Sequence, residues 1–314
     1  MTFLKQDDRL DKLGKDILEK TFKEFPALAR DRIALTWIVY DNPVIVNTGG
    51  AISFEEFWQY QVRGFNYRGM ERMYPASIVK LFYLVAIQEW LEREMIGGSL
   101  ELDRAIRDAI VDSSDDATSL ILDVLSGTTS GPELPPGPFE TWKQQRNIVN
   151  RYYQNLAWPE LENINLNQKT WCDGAYGRER AFLGELRENS NMLTTLSVAK
   201  LLHTIIGGVA VSSPRSQFMM GLLKRSLSPK NLADNEGENQ IRGFLGAGVP
   251  TNAKLWSKAG WTSRVRHDAA YIEIPNLQPY LLVVFTEGLK VEAGKKDVIP
   301  FISKAFVNAM GDIS

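Results

Sequence analysis

Ser77 and Lys80 are the residues of this chain whose types and spacing suggest nucleophilic chemistry. Positions i and i+3 of a helix share one face, so the hydroxyl and the amine can meet. A serine hydroxyl is a poor nucleophile until a base removes its proton, and a lysine can be that base when its pKa is depressed. Pro75 suits the entrance of a helix and places Ser77 in the first turn, where free N–H groups favour developing negative charge. The pattern predicts a serine nucleophile with a lysine base.

The segment after Lys80 favours this pair over a second one. Residues 81–87 carry no charge, so we expect a helix that is buried most of the way round. A lysine on a buried helix is costly unless something uses or pairs it. The same spacing recurs at Ser197 and Lys200, but that pair lies in an amphipathic helix pattern whose lysine can face water. We therefore predict Ser77 as the nucleophile.

Two further motifs accompany Ser77. The segment Ser113-Ser114-Asp115-Asp116 lies between two predicted helices, where it is also typical of a helix N-cap. The segment Lys258-Ala259-Gly260 lies inside a strand pattern between Trp256 and Trp261. A glycine in a strand lets a ligand approach the backbone closely, so this strand is a candidate wall of a binding site.

The order and spacing of these three elements resemble the class A β-lactamase and penicillin-binding-protein superfamily. Its signature is S-x-x-K at a helix start, an S-x-N or S-D-N loop, and K-[TS]-G on a strand. The likeness extends over nearly the whole chain. It implies a mixed α/β fold, a three-layer αβα sandwich with an antiparallel sheet built from both chain ends and an inserted all-helical subdomain. We expect the α/β subdomain at 1–75 and 215–314 and the helical subdomain at 76–214.

The resemblance also implies a role for each polar side chain. Ser77 would attack a carbonyl carbon, and Lys80 would accept or relay the serine proton. The loop serine, Ser113 or Ser114, would pass a proton to the leaving nitrogen. Lys258 would hold a substrate carboxylate and support proton transfer.

Substrate-binding residues are implied around the strand motif. The backbone N–H groups of Ser77 and Trp261 would form an oxyanion hole beside Gly260. Arg264 or Arg266 could add positive charge for a substrate carboxylate, or either could be a surface residue.

Two motif positions depart from the superfamily pattern. Asp115 stands where the pattern has Asn if the loop motif is Ser113-Ser114-Asp115, the register that we prefer. The alternative register, Ser114-Asp115-Asp116, also ends in Asp. Ala259 replaces Thr or Ser in the strand motif and removes one hydroxyl from the substrate side.

The segment 158–163 is similar to the Ω-loop that supplies the deacylating glutamate of class A enzymes. Its Glu and Asn spacing does not fit E-x-x-L-N, however. Glu160 is our first candidate for the base and Glu162 the second. The alternative is that both are surface carboxylates.

Apolar periodicity and turn residues predict the remaining elements. Helices are expected at 8–25, 77–95, 99–111, 116–126, 139–156, 194–206, 214–226 and 297–310, with an irregular polar stretch at about 158–190. Strands are expected at 33–40 and 44–46, joined as a hairpin, and at about 253–261, 265–274 and 279–286.

Composition excludes several classes of function. The 314 residues are 44% hydrophobic and 24% charged, as in soluble globular proteins, and the net charge of −2 suggests neither a nucleic-acid nor an acidic-membrane partner. The single cysteine, Cys172, excludes an internal disulfide and is expected to be structural. With only two histidines, of which we place His203 in the core, we predict no metal and no cofactor.

We predict a monomeric serine hydrolase that forms an acyl-enzyme on Ser77 with a small-molecule or peptide substrate, a β-lactam or an acyl-D-amino-acid amide. The alternatives are a D-Ala-D-Ala carboxypeptidase or penicillin-binding activity, an intracellular esterase or amidase, and a catalytically silent binding protein. Asp115 and Ala259 keep the last alternative open. The first twenty residues lack the apolar stretch of a signal peptide, and no membrane span is expected. We expect a cytoplasmic protein if Met1 is native, and a periplasmic or extracellular one if a leader has been removed.

Overall fold

A computed structural model describes residues 3–41, 52–171, 173–228, 239–288 and 297–313. These residues form a mixed α/β fold around one seven-stranded sheet. The strands are β1 (Leu4–Gln6), β2 (Ile33–Val39), β3 (Val62–Tyr67), β4 (Lys224–Arg225), β5 (Lys254–Trp261), β6 (Val265–Glu273) and β7 (Tyr280–Glu287). The helices are α1 (Asp8–Glu24), α2 (Phe54–Phe57), α3 (Val79–Glu92), α4 (Leu100–Val111), α5 (Asp115–Ser126), α6 (Pro136–Arg146), α7 (Ile148–Asn155), α8 (Gly177–Leu183), α9 (Thr195–Ile206), α10 (Ser213–Leu223) and α11 (Val298–Ile313).

The sheet combines both ends of the chain. Its strand order is β1-β3-β2-β7-β6-β5-β4, and every neighbouring pair is antiparallel except β1 with β3. Gly260 on β5 lies opposite His267 on β6, which in turn lies opposite Phe285 on β7. Residues from the start of the chain and from its end therefore share one sheet, which confirms the predicted fold class.

Two hydrophobic clusters lie on the two faces of this sheet. Successive strand residues point to opposite faces, so Ala269 and Tyr271 join one cluster while Ala270 and Ile272 join the other. Helices α3 and α9 cover the first face, and α1 and α11 cover the second. The sheet thus forms the middle layer of three.

The neighbours of β2 in the sheet differ from the predicted partner strand at 44–46. β2 pairs with β3 on one side and with β7 on the other, and the predicted strand at 44–46 lies outside the described residues. The sequence prediction missed β3 because Gly64 and two polar residues interrupt its apolar pattern, and glycine is depleted in strands.

Several helix bounds also differ from the predictions. The helix expected at 139–156 divides at Asn147, whose side chain donates to Lys143 O and accepts from Asn150 Nδ2. Such local side-chain bonds compete with the helical backbone ladder. The helix expected at 77–95 begins with a 3-10 turn at Ala76–Ile78 and ends at Glu92. The stretch expected to be irregular contains α8, and the helix expected at 214–226 ends where β4 begins.

Candidate active site

Ser77 lies in the tight turn that leads into α3. The preceding residue, Ala76, has a φ of 45°, a left-handed conformation that is uncommon outside glycine. The turn packs against β5 at Gly260, where an added Cβ would lie 2.9 Å from each of Ser77 N, Ile78 N and Pro75 O. Backbone atoms cannot move away as a flexible side chain can. Only glycine at position 260 therefore allows the strand to lie this close to the nucleophile candidate.

Lys80 follows one turn later and is almost fully buried. Its Nζ donates to Ser113 O, lies 3.3 Å from Ser113 Oγ, and forms an ion pair of 2.7 Å with Asp115 Oδ1. The buried lysine is thus paired, as the cost of burying a charge requires. Its partners are Ser113, in the loop between α4 and α5, and Asp115, the first residue of α5.

Lys258 reaches the same loop from β5. Its Nζ is hydrogen bonded to Ser113 Oγ at 2.9 Å, Gln240 Oε1 at 2.8 Å and Ala259 O at 2.7 Å. Burial, helped by the positive charges of Lys80 and Arg225, lowers the pKa of Lys258 well below its ordinary value. Ser113 Oγ is therefore within hydrogen-bond reach of two lysine amines. A hydroxyl in that position can pass a proton.

The two loop serines have different surroundings. Ser114 is the N-cap of α5, where its hydroxyl accepts from Ala117 N at 3.2 Å. Ser113 has a φ of 58° and turns its hydroxyl towards the lysines instead. Of the two registers considered, the geometry favours Ser113-Ser114-Asp115, because Asp115 reaches Lys80 and Asp116 is exposed.

Two residues that sequence reasoning missed hold this arrangement from the edge of the sheet. Gln240 is buried, and its Nε2 donates to Ile110 O at 3.0 Å and to Val111 O at 2.9 Å. Arg225 Nη2 donates to Ile110 O at 2.9 Å and to Ser257 O at 3.0 Å. Both side chains join β5 to the end of α4. No motif marks either residue, because their partners at the end of α4 are backbone carbonyls more than a hundred residues away.

Arg266, one of the two predicted carboxylate-binding arginines, lies on the other face of the sheet from Ser77. It is buried, its guanidinium carbon lies 4.4 Å from the centroid of the Phe244 ring, and Nη1 donates to Gly243 O. The next residue, His267, faces the Ser77 side, with Nε2 2.9 Å from Tyr74 O. Strand alternation therefore separates Arg266 from the site.

The other predicted substrate-binding residues lie at the end of β5. Trp261 follows Gly260 directly and is half-buried, with its ring centroid 5.4 Å from that of Phe244. Arg264 is exposed in the turn between β5 and β6. Arg264 is thus the predicted arginine that solvent can reach.

Glu160 lies in a buried ion pair, so its description as a surface carboxylate is wrong. Its Oε2 is 2.7 Å from Lys200 Nζ, and both side chains are only 8% exposed. The prediction that Lys200 faces water is also wrong. Its Nζ lies 4.7 Å from the ring centroid of Trp158, 5.1 Å from that of Trp58 and 5.6 Å from that of Phe3. The partner of Glu160 is therefore the lysine of the second S-x-x-K sequence.

The remaining candidate residues from the sequence analysis are Glu162, His203 and Cys172. Glu162 is exposed, and His203 is buried as predicted, with Nδ1 3.0 Å from Tyr40 Oη. Burial lowers the pKa of His203 to about 3. Cys172 lies outside the described residues. Within the described ranges, no group of three or more His, Cys, Asp or Glu could hold a metal ion, and no helix is long and apolar enough to cross a membrane.

The fold is that of the serine β-lactamase and transpeptidase-like superfamily. A profile of the beta-lactamase enzyme family matches residues 91–310, more than half of the chain. The chain therefore belongs to the beta-lactamase enzyme family. The matched range begins after Ser77 and Lys80, so the assignment depends on the later elements and not on the S-x-x-K sequence.

Solved structures show the same fold. A β-lactamase from Sphaerobacter thermophilus is 19% identical with a TM-score of 0.61, over 95% of this chain and 98% of that one. A PBP-A mutant, in an acyl-enzyme complex with penicillin G, is 14% identical with a TM-score of 0.65, over 99% and 100%. A β-lactamase from Xanthomonas campestris pv. campestris is 15% identical with a TM-score of 0.62, over 96% and 99%. No curated protein sequence gives a significant match.

Proposed function

We propose that this protein is a serine hydrolase that forms an acyl-enzyme on Ser77 with β-lactams or related acyl-D-amino-acid amides. The observation that carries the proposal is the position of Ser113 Oγ, 3.3 Å from Lys80 Nζ and 2.9 Å from Lys258 Nζ. A hydroxyl within hydrogen-bond reach of two buried amines can relay a proton, and one of these amines belongs to Lys80, one helical turn after the half-buried Ser77.

The proposed acylation uses Ser77 as the nucleophile and Lys80 as the base. Ser77 Oγ attacks the carbonyl carbon while its proton moves to neutral Lys80. The tetrahedral intermediate then collapses, the C–N bond breaks, and the leaving nitrogen takes a proton through the Ser113 hydroxyl. The proton lost by Ser113 is replaced from the lysines on either side, so the ester forms with no net change in protons.

The developing oxyanion would be held by backbone donors. The N–H groups of Ser77 and Trp261 are the candidates, because Gly260 brings the β5 backbone against the turn of Ser77. The exposed Arg264 would attract a substrate carboxylate, whereas Lys258 is fully buried and bonded to Ser113, Gln240 and Ala259. Arg266 has no part in this proposal, since it lies on the other face of the sheet.

Deacylation needs a base within reach of a water molecule. Glu160, the first candidate, is paired with Lys200, and Glu162 is exposed. These positions support a long-lived acyl-enzyme. They favour penicillin-binding behaviour as the second candidate function over rapid β-lactam hydrolysis.

The test is covalent labelling of the full chain. The protein is incubated with a fluorescent penicillin, with nitrocefin and with a D-Ala-D-Ala peptide, and its intact mass is followed with time. We expect the full mass of the penicillin on Ser77 within minutes. Absence of any adduct or turnover over hours would overturn the proposal in favour of a silent binding protein, and turnover of simple esters alone would favour an esterase.

A further inference from the structure

Gln240 joins the two halves of the candidate site through four hydrogen bonds. Its Oε1 accepts from Lys258 Nζ at 2.8 Å and from Ala259 N at 3.1 Å. Its Nε2 donates to the last carbonyls of α4, on Ile110 and Val111. The side chain is 5% exposed, and all its donors and acceptors are used in these four bonds. Gln240 thus connects β5 directly to the helix end that precedes Ser113.

The chemistry of its partners fixes the orientation of Lys258. Gln240 Oε1 and Ala259 O can only accept, so each requires an N–H of the lysine. A neutral amine has two N–H groups, which these acceptors use, and its lone pair is left for the third neighbour, Ser113 Oγ at 2.9 Å. In the ammonium form, the third N–H points at that same oxygen. The neutral and ammonium forms of Lys258 therefore differ by the one proton that points from Nζ towards Ser113 Oγ.

Charges from four elements act on Lys258. Lys80 on α3 and Arg225 on β4 favour the neutral amine, and burial acts in the same direction. Asp268 on β6 and Asp115 at the start of α5 favour the ammonium form. Both forms of the lysine are thus supported by neighbouring groups, and one added charge beside Nζ should move the balance.

We propose that Gln240 is a positioning residue that directs the exchangeable proton of Lys258 to Ser113. The assignment to proton exchange in acylation depends on the function proposed above, whereas the control of Lys258 by Gln240 does not. Gln240 acts through Lys258 and does not itself contact the substrate.

The test measures Lys258 directly. In protein with 13C-labelled lysine, the Lys258 Cε signal is assigned by its loss in Lys258→Met and titrated from pH 5 to 11. Gln240→Glu places a carboxylate beside the amine and should raise the titration midpoint by about one pH unit or more. Gln240→Met removes the acceptor and should lower it. Gln278→Glu is the matched control, because Gln278 is bonded to Arg63, at the other end of the sheet.

A second readout is the rate of Ser77 acylation by penicillin against pH. On the alkaline side of this profile, the acylation rate should fall at a higher pH in Gln240→Glu and at a lower pH in Gln240→Met. Both changes should match the shift of the Lys258 titration midpoint. The contrary result would be that both variants lose stability and acylate more slowly at every pH while the titration midpoint of Lys258 stays at the wild-type value. Gln240 would then have only a structural role, and the inference would be overturned. Wild-type protein that is never acylated would overturn the proposed function, but the Lys258 midpoints would still decide the role of Gln240.

Discussion

Lys80 Nζ and Asp115 Oδ1 form an ion pair of 2.7 Å in which the lysine side chain is fully buried. The superfamily pattern has a neutral amide at this loop position, so the pair places an extra negative charge beside the candidate base. A carboxylate in contact stabilises the ammonium form of a lysine. A protonated lysine cannot accept the proton of Ser77, and this charge should therefore weaken acylation near neutral pH.

Asp115→Asn should raise the rate of Ser77 acylation at pH 7 and shift the pH profile of that rate to lower pH. Each pH unit by which the midpoint of this profile moves corresponds to about a tenfold change in the fraction of Lys80 that is the neutral amine. The measurement is the initial rate of penicillin labelling from pH 5 to 9, with Asp116→Asn as the control, since Asp116 is exposed. If Asp116→Asn changes the profile and Asp115→Asn does not, the preferred register of the loop motif is wrong by one residue.

Ser77→Ala should abolish the penicillin adduct, whereas Ser197→Ala should keep it. Ser197 is fully buried in the capping box of α9, where its hydroxyl donates to Thr194 O at 2.8 Å. Loss of this cap should cost about 1 kcal/mol of folding free energy. Peptide mapping and thermal unfolding of both variants check the prediction, and an adduct mapped elsewhere would refute Ser77 as the nucleophile.

Gly260→Ala should leave the protein folded and reduce acylation about 100-fold. The new methyl group would overlap three backbone atoms of the Ser77 turn, so the turn must move by a fraction of an ångström or more. A misplacement of about 1 Å costs about two orders of magnitude in rate. A labelling rate within threefold of wild type would show that this close approach does not position the nucleophile.

Glu160→Gln should lower stability rather than slow deacylation. Breaking a buried ion pair leaves the partner charge uncompensated, at a cost of about 3–5 kcal/mol. We expect a lower midpoint of urea unfolding and an acyl-enzyme that persists for minutes, as in wild type. Rapid nitrocefin turnover by wild type that disappears in Glu160→Gln would instead identify Glu160 as the deacylating base.

Asp268 should make stability depend on pH. Burial raises the pKa of its carboxyl to about 7, above the value of 3.8 expected in the unfolded chain. Between these values the folded protein keeps a proton that the unfolded chain releases, so stability falls as the pH rises from about 4 to 7. Asp268→Asn should therefore be more stable than wild type at pH 8 and similar to it near pH 3.5. Thermal unfolding at both pH values measures the difference, and equal midpoints at pH 8 would contradict it.

The sequence by itself predicted the candidate site residues that a local pattern marks. Ser77 and Lys80 follow from helical spacing and an uncharged helix, and Gly260 follows from its place in a strand. These patterns repeat every few residues, so they can be recognised without knowing what lies across the fold. The superfamily and the three-layer architecture were predicted from the resemblance of the three motifs to the superfamily pattern, and both are confirmed.

Only the tertiary structure decided which polar side chains from distant parts of the chain contact one another. It distinguishes Ser113 from Ser114, pairs Glu160 with Lys200, and turns Arg266 away from the site. It also adds Gln240, which no pattern marks. Contacts such as that of Lys258 with Ser113 join residues 145 positions apart. Their partners are set by strand register and helix packing, whose energies depend on the whole fold and leave no local periodicity in the sequence.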